Sequence, residues 1–199
     1  MKAESIVFAV AGMCFGVILG WVLGAQQAAN RPAPAAAPAA AAQAPAQQQP
    51  QLDEARVQAL LTVFKNDPGN AGAAVQLGNV YFDAERYQDA IKWYEEAVKL
   101  DPKNADASTD LGISYYYTGQ TDRALQQFQH SLKIDPRHTK TMLNQGIVLA
   151  FGKQDLAGAE AAWKQVVELA PDSPEGQAAR KGLEGLAAAG HGGGAPPGS

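Results

Sequence analysis

One interval recurs through the middle of the chain. Gly78, Gly112 and Gly146 are evenly spaced; Ala90 and Ala124 keep the same interval, as do Pro68, Pro102 and Pro136. The next steps, to Ala159 and to Pro171, are each longer by one position. The period is about 34 residues, and a fixed period of this length requires each unit to be one small supersecondary element that buries its apolar face only by stacking on its neighbours. The extra residue of the last unit falls near Gly152 to Gly158. Within each unit the apolar positions fall at helical spacing in two runs: Leu77 and Tyr81, then Ala90, Tyr94 and Ala97; Leu111 and Tyr115, then Ala124 and Phe128. Each unit therefore reads as a pair of helices. Small residues sit where the two helices cross, an aromatic ring fills the gap beside them, and the Asp-Pro pairs beginning at 67, 101 and 135 mark the ends of the second helices. Gly119 marks the turn between the helices of the second unit.

The segments LGNVYFDAERYQDAIKWYEEAVKLDPKN and LGISYYYTGQTDRALQQFQHSLKIDPRH resemble tetratricopeptide (TPR) repeats, with Leu-Gly-x-x-Tyr, Ala, an aromatic residue, Ala and Pro in order over one period. Units 71–104 and 105–138 fit the pattern closely. A third, 139–173, departs from it with Gln145 before Gly146, Leu149 in place of the tyrosine, Trp163 as the second aromatic and the inserted residue. Residues 52–70 resemble the second helix of a partial unit. Ser173 and Pro174 make a good helix start, and 173–187 reads as the capping helix that a solenoid needs over its last apolar face. The resemblance implies an all-α fold, a short TPR solenoid of helix-turn-helix units over 52–187.

It also implies where a ligand goes. In this family the first helix of each unit lines a concave groove that takes an extended peptide or a partner helix. The matching positions are Val75, Asn79 and Phe82; Thr109, Ile113 and Tyr116; Leu143, Ile147 and Ala150; with Asn144 also offered to a peptide backbone and Tyr117 and Phe151 at the rim. This lining suits an apolar or aromatic peptide. Family members that bind C-terminal carboxylates use a clamp of Lys, Asn and Arg; here Asn79 matches one asparagine, but Val75 replaces the lysine, Asp110 stands at the second asparagine, and Leu143 and Ile147 replace the cations. Acidic C-terminal peptides are poor partners for such a groove. The run Tyr115-Tyr116-Tyr117 on one helix must point three ways, so one ring packs, one can line the groove and one is partly exposed.

Ahead of the repeats, the run from Ile6 to Gly24 carries no charge; as a helix it spans about 28 Å, enough to cross a bilayer. Residues 6–24 read as a retained transmembrane signal anchor after a short tail, 1–5. A cleaved secretory signal is the alternative, although no clean Ala-x-Ala site follows, and Met13 before Cys14 disfavours a lipoprotein signal. Gly12, Gly16, Gly20 and Gly24 recur at every fourth position and form one slowly drifting stripe, the pattern that lets membrane helices pack closely; it makes homo-oligomerisation through the anchor possible. Residues 26–51 contain only Ala, Gln, Pro, one Asn and one Arg, so they read as a disordered spacer reaching up to about 80 Å when extended. The tail, 188–199, is Gly- and Pro-rich.

Other chemistry is scarce. A net charge of −4 with mixed signs and no Lys/Arg cluster argues against nucleic acid as a partner. The single cysteine, Cys14, offers neither a disulfide framework nor a thiol metal site. His130 and His138 have no second histidine at metal spacing and read as solvated, as does the Glu95-Glu96 pair. No phosphate loop or nucleophile motif occurs, so no catalytic residue, metal or cofactor is expected. The sequence reading is a membrane-tethered TPR scaffold that binds a protein or peptide partner in its groove. By resemblance it acts in bacterial envelope complex assembly, anchored in the inner membrane with the repeats on the periplasmic side. The alternative is a soluble exported TPR protein, freed by signal cleavage, with a self-assembling structural role.

Overall fold

The computed structural model describes residues 50–192, with side chains through 189. The expected anchor at 6–24 with Gly12, Gly16, Gly20 and Gly24, nearly all of the linker, and the tail from 193 lie outside the described residues. Among the described residues there is no strand, and no helix is long and apolar enough to cross a membrane. The order is α1 Glu54–Asn66, α2 Ala71–Asp83, α3 Tyr87–Leu100, α4 Ala105–Tyr117, α5 Thr121–Ile134, α6 Thr139–Ile147 running into a π-helical turn Val148–Gly152, α7 Leu156–Leu169 and α8 Pro174–Gly192. Helices α2/α3, α4/α5 and α6/α7 form three consecutive hairpins, with α1 packed on α2 at one end and α8 on α7 at the other.

The repeated residues set the boundaries. After α1, α3 and α5 the Asp of each Asp-Pro pair folds back on its own turn: Asp67, Asp101 and Asp135 accept through Oδ1 from the N–H groups of Gly69, Lys103 and Arg137 at 3.2, 3.2 and 2.9 Å. The proline cannot continue the helix, and this Asx turn fixes the reversal. Asn70 and Asn104 then cap α2 and α4, accepting from Ala73 and Ala107 N–H at 2.8 and 2.9 Å. Asp155 caps α7 through the Gly158 N–H at 2.9 Å, and Ser173 caps α8 through the Gly176 N–H at 3.0 Å. Inside each hairpin the turn passes through one residue with positive φ: Glu85 at 57°, Gly119 at 77° and Gln154 at 57°.

The core rests on three close crossings. A Cβ added at Gly78 would stand 2.5 Å from the Tyr94 ring, one at Gly112 would stand 2.5 Å from Phe128, and one at Gly146 would collide with Trp163. The glycine of each first helix thus receives an aromatic ring of the second. The tips of those rings explain variation within the repeat. The Tyr94 hydroxyl donates to Asn79 Oδ1 at 2.7 Å. The second unit pairs the hydroxyl-free Phe128 with apolar Ile113 at the position matching Asn79, and the Trp163 indole N–H instead donates to the Leu143 carbonyl at 3.1 Å. A buried polar tip is kept only where a partner exists for it.

The positive-φ residues locate the extra residue of the third unit. Glu85 and Gly119 each lie seven residues after their repeat glycine, whereas Gln154 lies eight after Gly146. The additional residue is taken up before the turn, in the π-helical segment Val148–Gly152, where the Lys153 N–H donates to the Val148 carbonyl five residues back at 3.1 Å. A single π turn is what one inserted residue produces within an α-helix.

Candidate functional site

The first helices α2, α4 and α6, with the π-helical turn that continues α6, carry the residues expected to line the groove, and the structure gives them unequal roles. Phe82, Ile113 and Tyr116 are half-buried and packed on the core between the first two hairpins, while Leu143 and Ile147 are half-buried on the core beneath α7 and α8. Val75 packs in a smaller cluster with Phe64, Trp93 and the buried alanines Ala74, Ala97 and Ala107. Ala150 is buried at 5% exposure. Asn79 is half-buried and accepts the Tyr94 hydroxyl through Oδ1. Asn144 turns back on its own helix and donates to the Lys140 carbonyl at 2.8 Å. The three tyrosines divide as their spacing dictates: Tyr115 is buried, Tyr116 half-buried and Tyr117 46% exposed.

Thr109 stands apart from its neighbours in that group. It is fully buried, and it belongs to a polar junction between the second and third hairpins. Its hydroxyl lies 2.7 Å from the Ala105 carbonyl and 2.6 Å from the Thr141 hydroxyl. A carbonyl can only accept, so Thr109 donates to it and must accept from Thr141; Thr141 then accepts from His138 Nδ1 at 2.6 Å. The ring's Nε2 lies 3.3 Å from Asp106 Oδ1. His138 is thus not the solvated side chain expected from its lone position: it is 16% exposed. It stands where Asn70 and Asn104 cap the earlier hairpins, makes no cap bond of its own, and contributes its ring to the junction instead. The residue types Asp, His and Thr match an acyl-transfer relay, but Thr141 is fully buried, so no substrate carbonyl has access to its oxygen. Beside this junction Lys140 Nζ pairs with Asp110 Oδ1 at 2.7 Å. Burial pushes the Asp110 carboxyl above the usual range, against the pull of Lys140.

On the second-helix side, Glu95 is more than a solvated carboxylate. The Tyr115 hydroxyl donates to its Oε1 at 2.6 Å, and the Arg123 guanidinium lies 4.0 Å over the Tyr115 ring while donating to the same hydroxyl at 2.7 Å. Desolvation, reinforced by Glu95, pushes the Tyr115 phenol up to about 12. His130 is exposed, with Nδ1 3.3 Å from Ser108 Oγ. A hollow of 290 Å³ lies here, among Val98, Tyr115, Arg123 and Gln127, and a second of 470 Å³ lies between α7 and α8 around Leu156, Leu183 and Leu186. Neither touches the expected groove residues. Among the described residues no three His, Cys, Asp or Glu side chains converge to hold a metal ion.

At the end of α2 and α4 the aromatic residues meet. Phe82 sets its ring edge-on to Tyr87 at 5.2 Å and to Tyr117 at 5.8 Å, while Tyr87 and Tyr117 stack at 4.6 Å with 10° between planes. Tyr87, at the start of α3, was not legible as a site residue, because its helix faces away from the groove for most of its length.

Stacked helix hairpins of one constant period, each locked by a ring under a glycine, define an all-α repeat solenoid. Residues 78–138 carry tetratricopeptide repeats: 78–119 match the TPR repeat profile and 105–138 the tetratricopeptide repeat profile. Among solved structures, the first TPR domain of Spaghetti bound to the HSP90 peptide SRMEEVD is 26% identical, with 59% of this chain and 93% of that one covered at a TM-score of 0.52. The Yersinia enterocolitica type III secretion translocator chaperone SycD is 21% identical over 60% of this chain and 93% of its own, at a TM-score of 0.57. The Sgt2 TPR domain from Aspergillus fumigatus is 23% identical over 65% and 86%, also at 0.57. SycD has also been solved in complex with a peptide of the translocator YopD. No curated protein sequence matches the chain.

Proposed function

We propose that the chain is an adaptor that binds a protein or peptide partner on the face formed by α2, α4 and α6. The observation that carries this reading is the row of half-buried apolar side chains on that face, Phe82, Ile113, Tyr116, Leu143 and Ile147, supplied by first helices of successive hairpins. Such side chains fill part of the core and leave the remainder for a ligand. The Spaghetti and SycD domains, which share the fold, hold peptides. The finer proposal adds the uncharged run at 6–24 as a membrane anchor and 26–51 as the spacer, placing the repeats on the periplasmic side of a bacterial inner membrane in envelope complex assembly. Tethering raises the effective concentration of the face toward membrane-bound partners, so a modest affinity suffices.

A photoreactive residue in place of Ile113 in the full-length chain tests binding. Transfer of the crosslink to a distinct polypeptide, absent when the probe replaces His130, is expected; capture of copies of the chain alone sinks the adaptor reading. N-terminal sequencing of protein from washed membranes tests the tether, and a mature start between Gly24 and Ala29 removes it.

A further inference from the structure

We propose that His138 is a proton-operated latch between the second and third hairpins: it holds α6 on α4 while its imidazole carries two protons and loosens that seam when one is lost. The latch goes beyond the adaptor reading and stands without it. The Thr109 hydroxyl lies 2.7 Å from the Ala105 carbonyl and 2.6 Å from the Thr141 hydroxyl, and His138 Nδ1 lies 2.6 Å from Thr141. Only one arrangement puts a proton in each of these contacts: Nδ1–H donates to Thr141, Thr141 to Thr109, and Thr109 to the carbonyl. On the opposite edge of the ring, Nε2 faces Asp106 Oδ1 at 3.3 Å, and a carboxylate oxygen only accepts. Two acceptors on two edges call for two N–H groups, which the imidazolium alone supplies.

A neutral ring satisfies one edge only. With the proton on Nδ1, the Nε2 lone pair points at the Asp106 carboxylate. With the proton on Nε2, Thr141 must turn its own proton to Nδ1, and Thr109 then has one proton for two oxygens, leaving one close oxygen pair bare. Both threonines are fully buried, so no water fills the gap. Either tautomer sets two acceptors against each other in the seam. Charged neighbours act on the ring in both directions. Asp106 and Asp110 on α4 favour the imidazolium, while Lys140 and the uncapped start of α6, where the ring stands, oppose it. In the turn before the ring, Asp135 accepts the Arg137 N–H; α5 ends with Lys133 in its last turn and sets its His130 on Ser108; Glu168, near the end of α7, is exposed. Lys140 also ties α6 to Asp110 at 2.7 Å, so opening the latch loosens the start of α6 without detaching it. The seam joins the helix that carries Ile113 and Tyr116 to the one that carries Leu143 and Ile147, so the latch also sets how these two parts of the face lie on each other.

Full-length protein in detergent micelles, labelled with nitrogen-15 at histidine, reports the state of the ring, and amide-exchange protection factors report the hold on α6. Between about pH 5 and pH 8, where imidazoles change charge, His138 should pass from two protonated nitrogens to one. Over the same titration the protection factors of Met142 and Leu143 should fall about tenfold, as expected for losing a hydrogen bond to a charged group, while those of α2 stay level. His138→Asn installs the residue found at this position in the two preceding units, Asn70 and Asn104, and should fold and abolish the response. Asp106→Asn, at a side chain 70% exposed, should flatten it, because an amide can donate to a neutral Nε2. A ring whose protonation does not change across this interval overturns the proposal. So does a ring that titrates while the protection of α6 stays constant, or a response of the same size in His138→Asn.

Discussion

Replacing Gly112 by alanine tests whether the ring-under-glycine crossing sets the stability of the repeats. Alanine in a helix interior is intrinsically better than glycine by about 1 kcal/mol, so on an open helix the change would stabilise. At Gly112 the new methyl stands 2.5 Å from Phe128 Cε1 and 2.8 Å from Cδ1, with the Ala124 carbonyl oxygen at 3.3 Å. Phe128 is fully buried among Ala90, Ile91, Leu111 and Ala124 and has nowhere to swing, so α4 and α5 must separate. Overpacking of that kind costs about 1–3 kcal/mol. A contact at 2.5 Å against a ring with no room to move belongs in the upper part of that range, about 2–3 kcal/mol, and the propensity gain reduces it to a net loss of about 1–2 kcal/mol, or roughly 2–8 °C in melting temperature for a folded unit of this size. Thermal and urea unfolding followed by circular dichroism measure it. Gly185→Ala is the internal control: beyond its own stretch of helix backbone nothing lies within 4 Å of the added methyl, and stability should rise by up to about 1 kcal/mol. Combining Gly112→Ala with Phe128→Leu should recover part of the loss, because the two changes share one space. A Gly112→Ala protein as stable as the parent would refute the crossing as a steric lock.

Thr141→Val should cost about 1–2 kcal/mol, read as a lower urea midpoint at unchanged slope, because it removes the acceptor for His138 and the donor to Thr109 inside a dry junction. The hydrogen-bond chain further requires the proton on His138 Nδ1, which nitrogen-15 NMR of the imidazole checks directly. Tyr115 ionises at about 12 in the folded chain against 10.0 for a free phenol. Its contribution to stability is therefore complete below pH 10 and lost as the pH climbs toward 12; absorbance at the tyrosinate band with Tyr115→Phe as reference follows it. Ser173→Ala removes the cap of α8 and should cost about 1 kcal/mol, seen as faster amide exchange at the start of that helix; equal protection in both proteins would show that packing on Trp163 alone holds it.

The helix pairs were legible because the period repeats the same steric requirement three times: a reader who aligns Gly78, Gly112 and Gly146 with Tyr94, Phe128 and Trp163 has found the crossings. The caps Asn70 and Asn104 were equally open to such a comparison, since each follows its Asp-Pro by two residues. The junction of Thr109, Thr141 and His138 was not. His138 and Thr141 lie 29 and 32 residues beyond Thr109 along the chain, and repeat position marked Thr109 as lining the groove. What buries it is the closeness of α6 to α4, which depends on side chains of two repeats at once.

The π-helical turn at Val148–Gly152 has a consequence for how such an array can vary. One residue added inside an ordinary α-helix would rotate everything after it by about 100°, and α7 would present the wrong side to α6. Because the hydrogen bonds widen locally, the surplus is dissipated within the turn: Trp163 still arrives beneath Gly146, and α8 still closes over α7. The period of a solenoid is thus conserved in the spacing of its contacts, while the count of residues between them is free to drift by one. Length variants of a repeat should then accumulate at the end of its first helix, where a change of phase dies out before the next contact is made.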